Sequence, residues 1–299
     1  MAQGKLRLKM KKIILFFILI LTIGGFLFFW SDITDLYLRL SLQLPGIEKG
    51  ITDLIQEVEK QVSTPPPLRA TEETPQSYLT KAGVIQWTNL QRENYGLPPL
   101  KENERLDLSA AMKVEDMFDK QYFAHDSPSG VKVGDLAEKV GYEFIAIGEN
   151  LALGNFENDE ALLKAWMDSP GHRANILNSQ YQEIGVAVLK GAFEGNTTWL
   201  AVQHFGLPLS ACSQPSTTFK TEIESNENEI KELQNTLQSL RIEIQNFRPK
   251  RGPAYIQKVE EYNNLIVQYN NLVAETQALV SQYNNQVKSF NECVAGVTM

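Results

Sequence analysis

The chain has 299 residues and a net charge of −8, and its first twelve residues hold Lys5, Arg7, Lys9, Lys11 and Lys12 with no acid, leaving −13 for the rest. An acidic body without a basic stripe argues against nucleic acid as a partner. The length suits two modest domains with additional segments rather than one compact unit.

Residues 13–30, IILFFILILTIGGFLFFW, run without a charge. As a helix they would measure about 27 Å, close to the thickness of a bilayer core. The basic flank, residues 1–12, is expected to stay in the cytoplasm and send the rest of the chain outward. The apolar run exceeds a signal-peptide core, and Phe28-Phe29-Trp30 offers no small-x-small cleavage site. We therefore expect a single-pass, uncleaved membrane anchor with the bulk of the chain extracellular. In residues 31–62, Ile47, Ile51, Leu54, Ile55, Val58 and Val62 fall at helical spacing. Such a helix could pack on another copy, lie on the membrane or dock on the next domain. Residues 63–77, STPPPLRATEETPQS, read as a Pro-rich, semi-rigid linker.

Residues 78–207 carry the mixed pattern of a globular α+β domain. Val84, Trp87, Thr88 and Leu90 suggest a helix that Gly96 and Pro98-Pro99 terminate. Leu106, Leu108, Ala111, Met112, Met117 and Phe118 suggest a second, and Ala161, Leu162, Ala165 and Trp166 a third. EFIAIGE, EIGVAVL and TWLAVQHF alternate with period two, as strands of a small antiparallel sheet do. A layered α+β domain follows.

After a linker at 208–217, residues 218–293 change rhythm. Phe219, Ile223, Asn226, Ile230, Leu233, Leu237, Leu240, Ile244 and Phe247, then Val259, Tyr262, Ile266, Tyr269 and Val273, keep a four-three spacing on either side of RPKRGP. That predicts an antiparallel coiled-coil hairpin, a candidate for self-association or partner binding. Its tip carries Arg248, Lys250 and Arg251 and reads as a solvated turn. The only two cysteines, Cys212 and Cys293, lie about equally far from that tip and should meet at its base as a disulfide.

The chemistry concentrates around the three histidines. In WMDSPGHRANIL, Ser169 can cap a helix that Pro170 opens, which places His172 in the first turn. The helix dipole there favours a neutral imidazole, the form that binds metals or accepts a proton. In YFAHDSPSG, His125 precedes a polar turn; in AIGENLALG, Glu149 ends an apolar strand, sharing a face with Ile145 and Ile147. His125, Glu149 and His172 make a ligand set suited to a divalent metal, zinc above all, with open positions. Asp126 and Asp168 stand beside them. Ser127 and Ser169 are the nearest hydroxyls, and no nucleophile motif surrounds either. His204, in VQHFG, reads as a structural or solvated mid-strand residue.

NLQRENYGLPPL, YFAHDSPSG, GENLALG, WMDSPGHRANIL, EIGVAV and WLAVQHFG stand in the order and spacing of bacterial CAP-superfamily (SCP-like) domains, and residues 78–207 resemble that family. The resemblance implies a three-layer α-β-α sandwich, an extracytoplasmic location and a central cleft lined by a His-Glu-Glu-His tetrad able to hold a divalent metal. His125, Glu149 and His172 match three of the four. The position three residues after Trp166, usually the remaining glutamate, is Ser169, with Asp168 one residue out of phase. Binding to a ligand or protein partner outside the cell is the favoured reading of the cleft residues His125, Glu149, His172, Asp168 and Ser169. Metal-dependent hydrolysis of a peptide, ester or glycan is the alternative.

Overall fold

The structure, a computed structural model, describes residues 60–297. The anchor expected at 13–30 and the helix expected in 31–62 fall almost wholly outside that range. Among the described residues no helix is long and apolar enough to cross a membrane. The described chain divides into two units, one formed by residues up to 215 together with 285–297, the other by 216–284.

In the first unit the elements in chain order are β1 (Gln61–Ser63), β2 (Leu68–Arg69), α1 (Lys81–Asn94), β3 (Lys101–Glu102), α2 (Glu104–Lys120), α3 (Val133–Lys139), β4 (Phe144–Leu153), α4 (Asp159–Asp168), α5 (Pro170–Ile176), β5 (Glu183–Phe193) and β6 (Asn196–Pro208). Short polar side chains cap α1, α2 and α4. Thr80 accepts from the Gly83 amide at 3.0 Å, and Asn158 from the Ala161 amide at 2.9 Å.

The sheet runs β1-β4-β6-β5-β3, with β2 also on β4. It is mixed rather than purely antiparallel: β4, β6 and β5 alternate in direction, while β1 and β2 lie parallel to β4 and β3 lies parallel to β5. Residues 61–69, within the segment that reads as helix end and linker, thus run along the outer side of β4.

Helices cover both faces. On one, Val84, Leu162, Leu163, Trp166 and Ile176 pack with Ile145, Ala152, Ile184 and Phe205, and Phe290 joins the same cluster. On the other, Ala110, Val114 and Met117 of α2 pack on Leu151, Leu200 and Val202, with Val133 and Ala137 of α3 beside Ile147. A bulge between Phe144 and Ala146 shifts the register. Its extra residue puts Ile145 on the face opposite Ile147, so those two do not share a face as simple alternation predicts. Cys212 and Cys293 form a disulfide with Cα atoms 5.8 Å apart, as expected from their spacing.

The second unit contains α6 (Thr217–Asn246) and most of α7 (Pro253–Ala295). Ile230, Leu237, Leu240 and Ile244 pack against Tyr262, Ile266, Tyr269 and Val273. The Lys258–Glu243 ion pair near the turn and the Gln234–Tyr269 hydrogen bond farther from it show that the arms run in opposite directions.

Candidate functional site

Glu149 lies in the middle of β4, not at its end, and its side chain is wholly buried beneath α2. Direct pairing of β4 with β6 sets Glu149 opposite His204. His204 Nε2 lies 2.9 Å from Glu149 Oε2, and its Nδ1 meets the Ser109 hydroxyl of α2. The loop after α2 brings His125 to the other oxygen, with Nδ1 2.6 Å from Oε1. His125 Nε2 meets the carbonyl of Pro65, in the segment between β1 and β2. The result is one hydrogen-bonded row: Ser109, His204, Glu149, His125, Pro65.

Donor rules assign its protons. An ionised Glu149 can only accept, as can the Pro65 carbonyl, so both His125 nitrogens must donate to complete both contacts. His204 gives Nε2–H to Glu149 and takes the Ser109 proton on Nδ1. Burial opposes a charged carboxylate, but the bonds from His125 and His204 outweigh it and hold Glu149 down to about 2. Lys113, also buried, adds positive charge nearby and donates to the His125 carbonyl, fixing the loop.

His172 stands apart from this row. It is buried at the start of α5, and its Nδ1 lies 2.8 Å from Ser169 Oγ. The Ser169 hydroxyl is therefore engaged with the ring, and it makes no capping bond to the helix amides. Burial pushes His172 down to about 4, and the nearby His125 pushes the same way. The Leu151 carbonyl opposes the shift, yet His172 Nε2 has no hydrogen-bond partner. The ring is neutral near pH 7, and burial is the largest cause.

Asp168 is exposed and paired with Lys164 at 2.6 Å. Ser169 joins it in lining an open groove with Leu68, Arg69 and Glu72. Ser127 is taken up by its own turn, accepting from the Val131 amide at 2.9 Å. His125, Glu149 and His172 do not form a three-ligand group as arranged. Both His125 nitrogens and both Glu149 oxygens already have protein partners, and no three His, Cys, Asp or Glu side chains among the described residues are placed to hold a metal ion.

Two parts of the site escape a reading by motif. His204 and Ser109 complete the carboxylate's environment, and only their place on adjoining elements reveals it. The second part is a buried amide chain on the opposite face of β4. Asn175 donates to Asn150 Oδ1 at 3.0 Å, Asn150 to Gln203 Oε1 at 3.2 Å, and Gln203 to Thr88 Oγ1 at 2.7 Å. It ties α5, β4, β6 and α1 together.

This constellation accompanies a direct match: residues 86–205 fit the family described as CAP, the cysteine-rich secretory protein family, so the chain carries a CAP domain. Two Bacillus subtilis (strain 168) proteins are similar to it. Uncharacterized protein YkwD is 41% identical over 116 residues, 39% of this chain and 43% of that protein. Uncharacterized membrane protein YlbC is 33% identical over 105 residues, 35% of this chain and 30% of that protein. The match thus spans less than half the length of either relative. Among solved structures, an extracellular protein containing an SCP domain from Bacillus anthracis str. Ames shares 31% identity over 42% of this chain and 39% of its own, with a TM-score of 0.37.

Proposed function

We propose that this chain is a membrane-anchored, extracytoplasmic binding module that presents its polar cleft at the cell surface, with the helical hairpin as a coiled-coil assembly element. The observation that supports binding over turnover is the saturation of the Glu149 row. Both carboxylate oxygens and both His125 nitrogens are engaged, and the outermost partner is already a peptide carbonyl. Ser109, the hydroxyl attached to that row, is wholly buried and closed to substrate. The anchor at 13–30 and the cytoplasmic flank at 1–12 complete the reading. Protease added to intact cells should remove the CAP domain, and full protection would refute the topology.

One contact favours the hydrolase alternative: Ser169 Oγ beside a neutral His172 at the rim. A working nucleophile also needs a group to orient its base and a place for the oxyanion. Among the described residues no side chain orients His172 through Nε2. Hydrolysis assays of the purified full chain on peptide, ester and glycan pools should show no turnover. Turnover that disappears in Ser169→Ala would replace binding by hydrolysis. Zinc binding stands as a proposal for an arrangement in which Pro65 has left His125, and metal analysis should then return well under one ion per chain.

A further inference from the structure

β6 covers one side of β4, and among the described residues only β1 and β2 cover the other. Without them β4 would offer its free N–H and C=O groups to any extended chain. The covering segment is pinned at two places. Gln61, Val62 and Ser63 lie opposite Ala146, Ile147 and Gly148, and Leu68 and Arg69 lie opposite Ala152 and Leu153. Between them Thr64-Pro65-Pro66-Pro67 sets four residues against Glu149, Asn150 and Leu151, so the ladder breaks at the polar cluster. Prolines have no N–H to give a ladder. What this stretch presents instead is carbonyls: Pro65 accepts from His125 Nε2, and just before it Ser63, the last residue of β1, accepts from Asn175 Nδ2 at 3.3 Å.

Absent side chains make the channel. A Cβ on Gly171 would come within 2.6 Å of Pro65 Cβ, and one on Gly154 within 2.3 Å of Ala70 Cβ. Both glycines belong to the stretches that carry the site, SPGHR and ENLALG. The channel therefore takes an extended chain pressed close at its middle and at its far end, with donors at its middle for a chain that has carbonyls and no amides there. The resident segment is lightly held, because its two ladders are three and two residues long and Val62 is 51% exposed. Segments with so few main-chain and apolar contacts open well before a domain unfolds.

We infer that the channel along β4 is a binding site for an extended, proline-centred polypeptide segment. Residues 61–69 occupy it in cis, and a matching segment of a partner protein takes it when they leave. This rests on the reading of the domain as a binding module and names its ligand class. Recognition is by strand addition: main-chain bonds to β4 at the two ends give affinity, and His125 and Asn175 read the central carbonyls.

The test uses the full chain and a fluorescent decapeptide with the sequence of residues 61–70, followed by anisotropy. A tethered occupant competes at roughly millimolar effective concentration, so replacing Pro65, Pro66 and Pro67 together by Gly should tighten peptide binding about tenfold over the native chain. In the same variant, acylation of His125 by diethylpyrocarbonate, located by peptide mapping, should speed up. Gly171→Ala should also free His125 by crowding out Pro65, yet bind no peptide, since the methyl blocks any occupant. If the triple variant loses the native near-ultraviolet dichroism, Pro65→Ala carries the same test. A folded, opened variant that binds no peptide, or a Gly171→Ala chain that binds it equally well, overturns the inference and leaves the binding-module reading standing. Cleavage of the decapeptide would support the channel and overturn binding as its purpose.

Discussion

His172 is neutral because its burial removes the water that an imidazolium needs, and this has a measurable cost at low pH. Its folded value near 4 lies below the ordinary 6.5, so the unfolded chain takes up a proton that the folded one refuses. The stability it lends is complete above pH 6.5 and is lost as pH falls toward 4, amounting to about 3 kcal/mol at the end of that window. Glu149 adds a second step in the same direction, from 4.5 toward 2, because its hydrogen-bonded carboxylate must be protonated there. Urea denaturation of native chain and His172→Asn, followed across about pH 7 to 4, should show the native slope largely absent from the variant. Equal slopes would mean that His172 is not the group responsible.

At the scale of elements, α2 positions the site because it holds Ser109 and Lys113 against β4 and β6. Its closeness to β5 depends on Gly185, where an added Cβ would meet the Leu106 carbonyl carbon at 2.1 Å and the Asp107 amide nitrogen at 2.2 Å. Backbone cannot swing aside as a side chain can, so Gly185→Ala should push α2 outward and cost about 1–3 kcal/mol. The same variant should loosen the Ser109–His204 contact, visible as a changed His204 resonance; an unshifted resonance and unchanged stability would contradict this packing. The longer helices α1, α2 and α4 and the three central strands are legible in the sequence because each is long enough to show its period, whereas the seven-residue α3 is too short to show one. The covering segment is not: β1 and β2 are too short to alternate, and three prolines give it the composition of a linker. His204 hides for another reason. A lone histidine in a strand acquires meaning only from the cross-strand partner, and the pairing of β6 with β4 is non-local. His172 is legible as a special position, but its engagement with Ser169 rather than Glu149 depends on α5 packing against the face of β4 that carries Asn150, not Glu149.

For the molecule as a whole, the Cys212–Cys293 bond closes a loop across a sequence separation of 81. In the chain-entropy account such a closure stabilises by up to about 4.5 kcal/mol. Reduction, or the double change Cys212→Ala and Cys293→Ala, should lower the melting temperature of the CAP domain even though neither cysteine touches the Glu149 row; an unchanged melting temperature would show that packing alone holds the two ends. The same junction has a consequence during synthesis. Phe290 is buried in the core that α1, α4 and the sheet share, and Val294 packs beside it. A ribosome that has finished β6 has therefore made every strand of the sheet but not the last piece of its core. The domain must wait, incomplete, while both helices of the hairpin are translated, and only then can it consolidate and lock its disulfide. Any truncation inside the hairpin should consequently harm the domain that precedes it, not merely shorten the rod.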